Sequence, residues 1–91
     1  METIDQVFKK ETLTPWQEME GKALVLTPQK SAVHELNETA TFIWRMLDGE
    51  TSVRAVVTSL CNEFDVPTEQ ATADTITLIG EMREKGMLLV R

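Results

Sequence analysis

Residues 36–49 read Leu36-Asn37-Glu38-Thr39-Ala40-Thr41-Phe42-Ile43-Trp44-Arg45-Met46-Leu47-Asp48-Gly49, and this stretch decides the fold. It joins a strand end to a helix start, an apolar helix face and a glycine stop. Asn37 has a side-chain oxygen suited to accept a backbone N–H of the first helical turn. Glu38 falls near the positive end of the helix dipole. Ala40, Ile43, Trp44 and Leu47 recur at helical spacing and form one apolar stripe. Gly49 supplies the left-handed residue that ends many helices. The spacing predicts a helix over residues 38–48. None of these side chains is a catalyst.

Upstream of this helix the pattern is that of strands. Trp16-Gln17-Glu18-Met19-Glu20 alternates apolar and polar residues, and Gly21-Lys22 reads as a turn. Lys22-Ala23-Leu24-Val25-Leu26-Thr27 is β-rich, and Pro28-Gln29-Lys30 is the next turn. Ser31-Ala32-Val33-His34-Glu35-Leu36 is the third strand. Short strands joined by tight turns predict a β-meander. Residues 1–14 show no clear periodicity and read as a flexible arm ahead of a domain spanning 15–91.

Downstream, Thr51 or Ser52 starts a second helix that carries Val53, Val56, Val57, Leu60, Cys61 and Phe64 on one side. A third helix begins near Pro67-Thr68 and ends at Gly86, because proline is tolerated where the first N–H groups lack partners anyway. Met87-Leu88-Leu89-Val90 is a short closing segment on the core. Three strands followed by three helices make a small α+β domain, since the helices cannot hide their apolar faces alone.

Composition narrows the function. Ninety-one residues with 42% hydrophobic content suffice for one modest core. A net charge of −6, from 15 acids and 9 bases, disfavours phosphate binding, so no nucleic-acid partner is expected. The single cysteine points to a reducing cytoplasm. The N-terminus does not read as a signal peptide, and no apolar run is long enough for a membrane span. No metal, cofactor or catalytic machinery is expected. His34 is the lone histidine, and it reads as a partly exposed strand residue. Cys61 reads as a small buried hydrophobe. The glycines, at 21, 49, 80 and 86, form no phosphate loop. Trp44 belongs to the core stripe, whereas Trp16 either caps the sheet or anchors a partner.

At about 100° per residue, Ala71, Thr75, Leu78, Ile79 and Met82 share the core side of the third helix. Ile76 falls on a flank beside Thr72 and Arg83, so it either lines a partner groove or widens the core stripe. The other flank, with Asp74, Glu81 and Lys85, reads as solvated. The third strand, outermost in a sequential meander, offers open backbone groups for an added strand.

The order of motifs resembles the PqqD family, also called RiPP recognition elements (RiPP: ribosomally made, then modified, peptide). The resembling residues are Leu36-Asn37-Glu38-Thr39-Ala40, the Asp48-Gly49 helix end, and Thr51-Ser52-Val53 with Val56, Val57 and Leu60. Asp65-Val66, Leu78-Ile79, Met82 and Glu84-Lys85-Gly86-Met87-Leu88 continue the match, which spans residues 22–90. The resemblance implies a winged helix-turn-helix-like fold and a non-catalytic role. It further implies that the leader of a precursor peptide binds as an extra strand, for presentation to a modifying enzyme, often a radical S-adenosylmethionine protein. Any cofactor would belong to that partner. Carried over by position, the groove would be Ser31, Ala32, Val33, His34, Glu35 and Leu36 on one side, with Thr72, Ile76, Ile79 and Arg83 on the other. True PqqD proteins serve the cofactor pyrroloquinoline quinone, while relatives serve other peptides. The competing readings are a winged-helix DNA-binding regulator and an assembly adaptor without a peptide ligand. Glu69, Asp74, Glu81 and Glu84 on the would-be recognition helix argue against the regulator.

Overall fold

A computed structural model describes residues 4–12, 14–27 and 31–91. The elements run β1 (Val7–Lys10), β2 (Trp16–Met19), β3 (Lys22–Thr27), β4 (Ala32–Glu35), α1 (Glu38–Met46), β5 (Asp48–Ser52), α2 (Val53–Phe64), α3 (Thr68–Glu84) and β6 (Leu88–Val90). Strands β2, β3 and β4 form the expected antiparallel meander. Its first turn is one residue earlier than the sequence suggested. Glu20 and Gly21 both have positive φ, at 54° and 81°, as a two-residue hairpin of primed type requires. Lys22 already pairs with Met19. The turn assigned to Pro28-Gln29-Lys30 lies outside the described residues.

The helices follow their caps. Asn37 Oδ1 accepts the Ala40 N–H at 2.8 Å and starts α1, as a capping amide does. That helix stops at Met46, short of the expected end, with Leu47 as its C-cap. Gly49 does have positive φ, 86°, but it sits inside β5. Ser52 Oγ accepts the Ala55 N–H at 3.2 Å and starts α2. That helix ends on Asp65 in the left-handed region. Pro67 precedes α3 as its N-cap residue. Gly86, at φ 75°, turns the chain into β6.

The expectation of an N-terminal arm over residues 1–14, outside a domain of 15–91, is corrected for its described part. Strand β1 is the centre of a second antiparallel sheet in the order β5-β1-β6. Phe8 is fully buried in the common core beside Trp44, Ile43, Leu47, Leu60, Ile79 and Met82. The segment hid from sequence reading because a four-residue strand containing Lys9 and Lys10 has no distinctive alternation. Strand β5 hid for a related reason: Asp-Gly-Glu-Thr-Ser is poor in strand formers. Pairing with β1 makes it a strand, with a register irregularity between Val7 and Lys9.

Thr41, fully buried in α1, ties the helix to the meander. Its Oγ1 accepts the Ala23 N–H at 2.9 Å and donates to the Leu36 carbonyl at 3.2 Å. A buried hydroxyl with both roles satisfied costs little and fixes orientation.

Candidate functional site

Among the described residues, strand β4 pairs with β3 on one side only, in the sheet order β2-β3-β4. The Leu36 N–H donates to the Ala23 carbonyl at 2.8 Å, so Leu36 faces β3. Backbone groups alternate along a strand, so those of Val33 and Glu35 face away from β3. Beside this open edge runs a groove of about 420 Å³. Val33, His34, Glu35, Leu36 and Asn37 line one side, and Leu78, Glu81, Met82 and Lys85 of α3 line the other. Ala40 and Met87 complete the lining. Leu36, Ala40, Met82 and Met87 are buried, which gives the groove an apolar floor under a charged rim.

The strand residues named from sequence therefore divide. Val33, His34, Glu35 and Leu36 lie on the groove. Ala32 opens the same strand opposite Thr27, and exposed Ser31 sits in the preceding turn with φ 49°. The helix residues named from sequence do not join them. Ile79 is fully buried, and Ile76 packs half-buried against the core. Thr72 donates its hydroxyl to the Thr68 carbonyl at 2.7 Å. The Arg83 guanidinium lies 5.6 Å from the centre of the Phe8 ring, against β1, within the range of a cation–π contact. The groove uses the opposite flank, the one read as solvated. Glu81 and Lys85 stand there, with Leu78 at the edge of the apolar stripe. No local signal marks that choice, because both flanks border the same core stripe. Asn37 was legible only as a cap, and its Oδ1 does cap α1.

His34 Nε2 lies 3.1 Å from Thr27 Oγ1, which holds the ring against the neighbouring strand. Trp16 takes a middle position between the two roles considered. It packs edge-on against buried Trp44, with centroids 5.8 Å apart, yet remains 39% exposed. Edge-to-face packing of this kind suits the charge distribution of aromatic rings. Cys61 is half-buried, with Sγ 3.8 Å from Thr68 Oγ1.

The shifted ionisations lie away from the groove. Burial lowers the Lys10 pKa, partly opposed by Asp48. Its Nζ reaches the Leu47 carbonyl at 3.1 Å and stands over both tryptophan rings. The Arg45 guanidinium grips the exposed Glu18 carboxylate through two bonds and holds its pKa down. The Glu50 and Thr51 N–H groups do the same for Asp48. Among the described residues, no group of three or more His, Cys, Asp or Glu side chains is placed to hold a metal ion. No described helix is long and apolar enough to cross a membrane.

Comparison with known proteins now bears on this geometry. The family model of coenzyme PQQ synthesis protein D, PqqD, matches residues 22–88. The chain belongs to the PqqD family. A PqqA binding protein of Gluconobacter oxydans (strain 621H) is 37% identical over 65 residues, covering 71% of this chain and 66% of that protein. One from Rhizobium meliloti (strain 1021) is 26% identical over 68 residues, covering 75% and 67%. The matched part is thus about two thirds of the length of these PqqD relatives. Among solved structures, TbiB1 in complex with the TbiA(beta) leader peptide superposes with a TM-score of 0.81 at 18% identity, over 88% of this chain and 93% of that one. Lasso peptide synthetase B1 complexed with the leader peptide gives 0.81 at 24% identity, over 90% and 96%. At these identities the likeness establishes the fold. It reaches beyond the PqqD family match, so part of the chain ahead of Lys22 belongs to the shared architecture.

Proposed function

We propose that this chain is a non-catalytic module that binds the leader of a ribosomally made precursor peptide as an added strand on β4, and presents that peptide to a modifying enzyme. The observation that carries the reading is the open edge of β4 beside an apolar-floored groove, in a PqqD-family chain. Main-chain bonds to Val33 and Glu35 would supply affinity, and alternate leader side chains would enter the floor of Leu36, Ala40, Met82 and Met87. The names of the relatives, PqqA binding proteins, and the leader complexes of the structural neighbours support a peptide ligand.

The modifying enzyme is proposed to be of the radical S-adenosylmethionine type and to bring its own clusters. A reducing cytoplasm is the proposed setting. The role of this chain would be positional: holding leader and enzyme together raises the local concentration of the peptide at the active site. Each strand bond contributes about 0.5–1.5 kcal/mol net, and ordering the peptide offsets much of the sum. Affinity on the order of micromolar follows.

Val33→Pro tests the mode directly. Proline removes an edge N–H that β3 does not use, so the β3–β4 ladder survives. Leader affinity, followed by fluorescence anisotropy with the leader of the precursor encoded in a neighbouring gene, should fall about tenfold or more. Circular dichroism should be retained. Unchanged affinity in the folded variant would refute strand addition.

A further inference from the structure

The outer face of the meander, turned away from the helices, is uncommonly apolar for a solvent-facing surface. Strand register places Leu26 opposite Val33, Leu24 opposite Glu35 and Met19 opposite Lys22 on that face. Met19 is 56%, Leu26 37% and Val33 65% exposed, and Leu24 is half-buried between them. Gln17, whose amide lies 3.8 Å from Met19 Sδ, shares the face. Among the described residues its charges are one cation, Lys22, and one acid, Glu35, on a chain of net charge −6. An apolar, nearly neutral window on an acidic molecule marks a surface for another protein.

We infer that this face is where the modifying enzyme docks, through an apolar surface of its own, and that the bound leader completes the docking surface. The inference rests on the peptide-binding reading above. Its basis is continuity: Val33 belongs both to the apolar face and to the lining of the groove. A strand added to β4 extends the same sheet, and every second side chain of that strand falls on this face beside Val33. An enzyme seated here therefore touches the domain and the leader at once. Affinity for the enzyme rises when the leader is in place, and by reciprocity the enzyme tightens the leader.

The test uses the full chain, the modifying enzyme encoded in a neighbouring gene, and the synthetic leader used above. Met19→Gln and Leu26→Gln change solvent-facing side chains outside the groove. Both variants should bind leader within about twofold of the parent, and the pair together should weaken enzyme binding by about tenfold or more. For the parent chain, saturating leader should tighten the enzyme by about fivefold, the lower end of ordinary coupling between sites. Normal leader binding with enzyme affinity unchanged in the double variant would overturn the docking face alone. Equal enzyme affinity with and without leader would overturn the composite surface. A concentration-dependent dimer of the parent chain, abolished in the double variant, would assign the face to a second copy and overturn the inference. Absence of leader binding by the parent chain would overturn the peptide-binding reading and this inference with it.

Discussion

Single residues carry much of the local definition. Gly49 has φ 86°, and a Cβ built there would stand 3.3 Å from Lys9 Cβ, across the irregular β1–β5 pairing. Left-handed geometry costs a side-chain-bearing residue about 1–2 kcal/mol. Gly49→Ala should therefore lower stability by at least about 1 kcal/mol in urea unfolding, whereas the open site at Gly21 lacks that steric term. Asp48, one residue earlier, organises the same corner by accepting the Glu50 and Thr51 N–H bonds, both at 2.9 Å. These bonds depress its folded pKa below the ordinary carboxylate value. A depressed carboxylate pKa gives stability that is present above the unfolded pKa and lost as pH falls through the folded one. Asp48→Ala should thus unfold more easily than the parent chain at neutral pH, and the gap should close in melts carried out at progressively acid pH. A gap that persists once both pKa values are passed would refute the carboxylate's role.

At the scale of elements, α3 decides which side chains wall the groove opposite β4. Two flanks of one helix border the core, and they have different neighbours. Leu78, Glu81 and Lys85 face the groove with β4, whereas Arg83 faces β1 over the Phe8 ring. Leu78→Asp should raise the leader dissociation rate and weaken binding by about tenfold, because an unpaired carboxylate would be covered by peptide. Arg83→Glu should leave leader affinity within about twofold while lowering the melting temperature, since its guanidinium packs over the Phe8 ring. The reverse pattern would return the groove to the Thr72, Ile76 and Arg83 flank. Placement of the groove was thus half legible in the sequence. An edge strand follows from strand order, but the rotation of a helix about its axis depends on what packs on each side.

At the scale of the whole molecule, two small sheets share one core with the three helices among the described residues. Strand β1 binds both β5 and β6 and buries Phe8 completely. Deleting residues 1–12 should therefore abolish cooperative thermal unfolding rather than trim a loose end. Loss of a buried phenylalanine alone costs about 3–5 kcal/mol, against a total of about 5–15 kcal/mol for a domain. An unchanged melt would show that β1 is dispensable. Phe8→Ala should give a milder version of the same loss in the intact chain.

The sequence by itself determined the meander, the three helices, the N-caps of the first two and the family. These features are written within a few residues: a capping side chain, a 3.6-residue stripe, a two-residue turn. Asn37 and Ser52 could be read as caps because the groups they bind lie three residues away. The tertiary structure alone decided the second sheet and which flank of α3 lines the groove. Val7 meets Ser52 across about half the chain and Phe8 meets Val90 across nearly all of it, and neither pairing leaves a local trace in Val-Phe-Lys-Lys or Asp-Gly-Glu-Thr-Ser. Long-range pairing satisfies backbone groups wherever the fold brings them together, so a weak strand former becomes a strand when its partner is already in place.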